Sequence, residues 1–263
     1  MSSSTRPQEA SVALAFDRGL APQGQMMAAG PDHPVYDTAA FSAALTRQTE
    51  GVTDPRERRQ AVVQALSVAR RDAGAVIEAA FEQNPRAARS TVRARAQLAD
   101  ATIRIAFTLA SGVLHPAPNP TEAERLTVLA VGGYGRMELA PFSDIDLLFL
   151  TPWKITPWAE SVIESMLYIL WDLKLKVGHS SRTVKDCLRL GREDYTIRTA
   201  LLEHRFLIGD EAAAVELRHR LRQDLFRSTG PDFIEAKLAE RSERHKRQGG
   251  QRYVLEPNVK EGK

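Results

Sequence analysis

Two different periods of apolar residues run along this chain. From Asp54-Pro55, an N-cap carboxylate followed by proline at the first helical position, Val62, Val63, Leu66, Ala69, Ala73, Val76, Ile77, Ala80 and Phe81 recur at helical spacing. Asn84-Pro85 interrupts the pattern, because proline pushes the residue before it out of the helical region. A second helix is expected from about Ala87 to Gly112, with Leu98, Ala101, Ile105 and Leu109 on one face. The two read as an antiparallel hairpin. Ahead of them, Asp37 to Leu45 reads as a short helix. Residues 1–35, which contain Ser, Pro, Gly and Gln with little periodicity, read as a flexible leader. His115-Pro-Ala-Pro-Asn-Pro120 is a proline-rich linker.

Beyond the linker the period shortens. Leu126 to Val131 is a short apolar run rich in β-branched residues, which predicts a buried strand. Gly132-Gly133 ends it and lets the backbone turn tightly. Asp144 to Leu150 is a second strand, whose alternation places Asp144 and Asp146 on one face and turns Ile145 and Leu147 to the core. After a loop at 151–157, Glu160 to Asp172 is helical. Leu173 to Ser180 alternates as a third strand, and Thr183 with Asp186 spells a capping box that opens a helix. Helices are expected over 193–205, 210–228 and 231–247. This succession predicts an α/β (α+β) fold: a small mixed sheet flanked by helices, with an N-terminal helical hairpin and a helical C-terminal part. The intervals are a leader at 1–35, a helical region at 36–114, a core at 121–205, and a helical segment at 206–263 leading toward a missing C-terminal part.

Composition narrows the chemistry. With 43% hydrophobic residues in 263, the chain can bury a core. A net charge of +3 and a pI of about 9.1 suit a nucleoside triphosphate and require no nucleic acid. Cys187 is the only cysteine, which excludes a disulfide framework and points to a reducing cytoplasm. No run of about eighteen apolar residues predicts a membrane span, and MSSSTRPQEASVALAF lacks the form of a signal peptide. The Gly-x₄-Gly-Lys signature of P-loop enzymes is absent, and Gly133-Tyr-Gly135 meets Glu138 where a dinucleotide fingerprint needs a third glycine. No His is directly followed by Asp, so a His-Asp phosphohydrolase site is not encoded here.

Asp144 and Asp146 are the chemical signal. Two carboxylates on one strand face repel unless a cation lies between them, and Mg²⁺, a hard cation held by one or two carboxylates plus substrate phosphates, is the natural candidate. Arg86, Arg89, Arg93 and Arg95 crowd the start of the second helix and read as a solvated face, as does the run Arg241 to Arg247. His179 and Arg182, in or just after the third strand, are further candidates for contact with a nucleotide.

The string VGGYGRMELAPFSDIDLLF resembles the polymerase-β-type nucleotidyltransferase superfamily: an apolar strand, Gly-Gly, ten residues, then Asp-apolar-Asp-apolar. The fuller string is similar to one branch, the bacterial P-II protein uridylyltransferases, and glutamine synthetase adenylyltransferases carry a related one. Gln251 to Lys263, QRYVLEPNVKEGK, is also similar to the uridylyltransferase branch. The resemblance covers roughly residues 120–263 and implies the front part of a longer, multifunctional cytoplasmic protein of nitrogen regulation. It implies transfer of UMP from UTP to a tyrosine of the P-II protein. Asp144 and Asp146 are then catalytic and hold Mg²⁺, and Gly132, Gly133, Ser143 and Arg136 lie against the triphosphate. A short helix starting near Arg136 would aim its positive end there, and Arg136 alternatively pairs with Glu138. Superfamily members usually add a third carboxylate from the third strand, but Gly178 stands at that place here. Asp172 and Glu203 are the replacements to consider, each more readily structural, and the general base stays unassigned. The alternatives are an adenylyltransferase acting on glutamine synthetase and a non-catalytic nucleotide-binding regulatory domain.

Overall fold

The computed structural model describes residues 54–117 and 119–247, together with 43–45, 47 and 51–52. The expected leader, most of the helix read from Asp37 to Leu45, and the string Gln251 to Lys263 lie outside the described residues. Helix α1, Pro55–Gln83, starts where the sequence predicts: the Asp54 carboxylate accepts from the Arg56 N–H at 2.8 Å, and Pro55 fills the first position. Its buried stripe is Val62, Leu66, Ala73 and Ile77. Asn84 and a 3₁₀ turn at Pro85–Ala87 reverse the chain into α2, Ala88–Leu109, which runs on through a π turn, Ala110–Leu114.

Four strands form the sheet in the order β3-β2-β1-β4: β1 Thr127–Ala130, β2 Ile145–Thr151, β3 Val177–Thr183 and β4 Arg205–Gly209. The central pair is antiparallel, with Val128 opposite Phe149. The β2–β3 pair is parallel, with Asp146 opposite Gly178. A parallel pair needs a crossover, and α4, Pro157–Asp172, supplies it; its N-cap is Thr156, whose side chain accepts from the Ala159 N–H. The third strand therefore begins at Val177, after a tight turn at Leu173–Lys176, rather than at Leu173. The remaining helices are α3 Gly132–Gly135, α5 Val184–Glu193, α6 Tyr195–Leu202, α7 Glu211–Arg220 and α8 Arg227–Arg247, with a π turn at Leu221–Phe226 between the last two. The predicted capping box opens α5: Thr183 Oγ1 accepts from the Asp186 N–H at 3.1 Å while the Asp186 carboxylate accepts from Thr183.

The stretch 193–205, expected to be helical throughout, stops at Leu202 and gives way to β4, which pairs antiparallel with β1 through a bulge between Val128 and Leu129. Both faces of the sheet are covered. Ile145, Leu147, Phe149 and Val128 pack with α1, α2 and α4; Leu129, Leu148 and Leu150 pack with Cys187, Leu188, Leu201, Leu217 and Leu225. Burial on two faces explains why β1, buried at every position, does not alternate apolar with charged residues. No helix among the described residues is long and apolar enough to cross a membrane.

Candidate active site

The second layer of helices leaves the start of β2 uncovered. Along one strand face Leu150 and Leu148 are buried, Asp146 is half-buried, and Asp144, just ahead of the strand, is exposed. The glycine turn is pinned beside them: the Val131 N–H donates to the Asp146 carbonyl at 3.1 Å, and Gly132 follows at φ 62°, a left-handed conformation that glycine adopts at little cost. Gly132–Gly135 forms a single helical turn, so the turn starts at the glycines and Arg136 caps its C-terminal end. The expected helix with its positive end at Arg136 is thus displaced by one turn, because the glycines themselves take up helical hydrogen bonding, Gly135 N–H to Val131 O and Arg136 N–H to Gly132 O.

Two glycines hold Asp146 between them. A Cβ on Gly132 would stand 3.4 Å from Asp146 Oδ2, and a Cβ on Gly178 would stand 2.5 Å from Asp146 Oδ1. The third strand therefore contributes space at this position, where superfamily members usually place a carboxylate. Among the described residues no group of three or more His, Cys, Asp or Glu side chains converges to hold a metal. Asp172 ends α4 and pairs with Arg59 at 3.5 Å, so it is not at the start of the strand. Glu203 caps α6 and pairs with Arg136 at 2.5 Å, while Arg136 also meets Glu138 at 3.0 Å. These contacts, the Glu203 hydrogen bond first, raise the Arg136 pKa. Arg136 Nη2 would lie 3.6 Å from a Cβ on Gly133, so this ion-paired group walls the glycine turn.

Ser143 is exposed, in a turn where its N–H donates to Ala140 O at 3.2 Å, on the wall of a cavity that also includes Ile145. His179 lies opposite Leu147 and so faces the α4 side of the sheet, with its ring 6.5 Å from those of Trp171 and Phe149. Its alternation places it away from Asp144 and Asp146. Arg182 shares their face but sits about 13 Å along the strand from Gly178.

Sequence reasoning missed what clamps the glycine turn. Tyr134, 1% exposed, donates to Asp100 Oδ1 at 2.6 Å. Arg205 binds the same carboxylate through two nitrogens, at 2.7 and 2.9 Å, and donates to the carbonyls of Gly135 and Tyr134. Burial, and then the Asp100 charge, push the Tyr134 phenol well above its usual range, so it remains a donor. This network ties the turn to α2 and β4. Gly135 is a further requirement, because a Cβ there would overlap the backbone oxygen of Glu203. Glycines within a helical or strand-like stretch are the one local hint of such close approach.

The sequence profile described as glutamate-ammonia ligase adenylyltransferase matches residues 19–172, and that described as GlnD PII-uridylyltransferase matches residues 232–263. Curated relatives named bifunctional uridylyltransferase/uridylyl-removing enzyme include those of Cereibacter sphaeroides, 60% identical over 89% of this chain and 25% of the relative, and Ruegeria pomeroyi, 57% over 87% and 25%. That of Rhodospirillum rubrum is 47% identical over 87% of this chain and 24% of its own. The chain spans about a quarter of the length of these relatives.

Proposed function

We propose that this chain, which belongs to the nucleotidyltransferase family of the P-II uridylyltransferases and glutamate-ammonia ligase adenylyltransferases, carries the site that transfers UMP from UTP to a tyrosine of a P-II nitrogen regulatory protein in the cytoplasm, with pyrophosphate leaving. The observation that carries it is Asp146 lodged between Gly132 and Gly178, with Asp144 exposed beside it at the uncovered start of β2. The names of the relatives support the uridylyl group, and the description of the profile that matches residues 232–263 supports the acceptor.

In this reading, Asp144 and Asp146 hold Mg²⁺, and their chemistry fits: two hard oxygen donors on one face, open to solvent, leaving positions for phosphate oxygens. When bound, the ion supplies neutralisation of phosphate charge and eases ionisation of the acceptor phenol, whose pKa near 10 leaves it protonated at neutral pH. The rest falls to the chain. Gly132 and Gly133 let the triphosphate approach the backbone, where the first N–H groups of a helical turn lack intrahelical acceptors. Arg136, matched by Glu203 and Glu138, orders the wall beside Gly133. Ser143 contributes its hydroxyl from the loop that leads into Asp144. Catalysis of phosphoryl transfer consists mainly of such positioning and charge neutralisation.

Mass spectrometry of a P-II protein incubated with this chain, Mg²⁺ and UTP or ATP tests the proposal. A UMP adduct on tyrosine is expected, and it should vanish in folded Asp144→Asn and Asp146→Asn variants. Undiminished transfer by Asp146→Asn would remove the two-carboxylate mechanism. The adenylyltransferase profile over residues 19–172 favours a second reading, transfer of AMP to glutamine synthetase. An AMP adduct on that enzyme would establish it, and nucleotide binding without any adduct would leave a regulatory domain.

A further inference from the structure

Of the four arginines crowded at the start of α2, Arg86, Arg89 and Arg93 are exposed, but Arg95 is half-buried and lines a cavity. The cavity measures about 210 Å³, is open to solvent, and lies between α1, α2, the 139–145 segment and the turn that precedes β3. Four cations border it: Arg70, Arg95, Lys174 and Lys176. Its floor is apolar, with Leu98, Leu139 and Ile145, and among the described residues no acidic side chain lines it.

We propose that this cavity binds a small multivalent oxyanion, of the phosphate or polycarboxylate class, at a site separate from Asp144 and Asp146. Elsewhere in the molecule arginines pair with carboxylates, as Arg125, Arg189 and Arg220 do. Arg95, Lys174 and Lys176 make no ion pair and no side-chain hydrogen bond among the described residues, and the buried Nε of Arg95 has no partner. Like charges that converge over a low-dielectric floor raise one another's energy, and an anion between them reverses the sign. The donor types suit an oxyanion: guanidinium forks match its oxygens in pairs, and ammonium groups add point charge.

The frame that presents them is fixed. Lys174 has φ 60°, and the turn is closed by Lys174 N–H to Trp171 O at 2.8 Å and Leu175 N–H to Leu170 O at 3.1 Å. A side-chain-bearing residue in that conformation is costly and persists because the surrounding structure imposes it. Ile145, on the cavity wall, points to the opposite face of β2 from Asp146, so the two sites stand back to back across the start of one strand. Ser143, on the cavity wall, is the one lining residue also proposed to meet the triphosphate; anion binding by Arg95, Lys174 and Lys176 needs neither the metal nor the nucleotide.

Calorimetric titration of the chain in EDTA with inorganic phosphate, pyrophosphate and citrate tests this. Saturable binding of at least one is expected, weakened roughly tenfold or more by Arg95→Gln and by the paired change Lys174→Ala/Lys176→Ala, and retained in Asp146→Asn. The two lysines are exposed, so their replacement leaves the fold intact even where Arg95→Gln disturbs it. Binding of the phosphates alone or of citrate alone assigns the class, and binding of both assigns an unselective oxyanion site. Absence of saturable binding by all three, indifference to the lysine replacements, or loss in Asp146→Asn would overturn the proposal.

Discussion

Replacing Gly178 with alanine adds one methyl group where β3 passes Asp146. The new Cβ would lie 2.5 Å from Asp146 Oδ1 and 3.7 Å from its Cγ. Ordinary contact begins near 3.4 Å, so the carboxylate must retreat by about 0.9 Å. The clash falls on the end of a side chain and not on backbone, so the strand pairing of Asp146 with Gly178 survives. Overpacking costs about 1–3 kcal/mol, and removing a glycine from a strand interior returns roughly 0.5–1 kcal/mol. The net loss of stability should therefore stay below about 2.5 kcal/mol. The protein should stay folded while its activity falls, because a displacement near 1 Å in a positioning group costs about a hundredfold, or roughly 2.7 kcal/mol of barrier. Incorporation of labelled UMP into a P-II protein measures the rate, and urea unfolding measures stability on the same preparation. A folded Gly178→Ala protein that turns over within about threefold of the parent would refute the idea that the glycine positions Asp146 for chemistry.

The neighbouring glycines separate ligand from fold. A Cβ at Gly133 would meet Glu138 O at 3.5 Å and Arg136 Nη2 at 3.6 Å, which are ordinary contacts. Gly133→Ala should thus fold normally yet bind UTP roughly tenfold more weakly, and unchanged affinity in a titration would move the phosphate site away from this turn. Gly135→Ala, driven into the Glu203 backbone, should cost about 3 kcal/mol or more in urea unfolding; parent-like stability would contradict the packing described. Tyr134→Phe removes a buried donor from the Asp100 carboxylate and should cost about 1.5–3 kcal/mol, with an unaltered unfolding midpoint as the contrary result. Burial first, then the nearby Arg218 charge, lowers the His204 pKa below 6.5, although its Nδ1–H donates to the Leu201 carbonyl. The neutral form is the folded one, so its contribution is fully present above pH 6.5 and is lost as pH falls from there through the folded value. His204→Gln should lessen the fall in stability as pH drops below 6.5, and identical slopes for the two proteins would rule this out.

Local chemistry determined much of this protein. The N-cap Asp54-Pro55, the break at Asn84-Pro85 and the Thr183–Asp186 box each act within a few residues, so their outcome was written in the string itself. The same holds for the strand–glycine–strand unit, whose alternation sets Asp144 and Asp146 on one side of β2. Strand β4 was different. Arg205–Gly209 holds only three apolar residues, Phe206 to Ile208, two residues after a helix ends, and only pairing with β1, some eighty residues earlier, makes it a strand. Tertiary structure also decided where the third strand begins, and with it the side on which His179 falls and the distance of Asp172 from the site. The clamp of Asp100, Tyr134 and Arg205 follows no sequence period, because three polar groups share one buried location only after α2, the glycine turn and β4 have packed. The same is true of Gly178. Its lack of a side chain is plain in the sequence, but that the space belongs to Asp146 is a property of two strands lying side by side, in a register that burial on both faces of the sheet enforces.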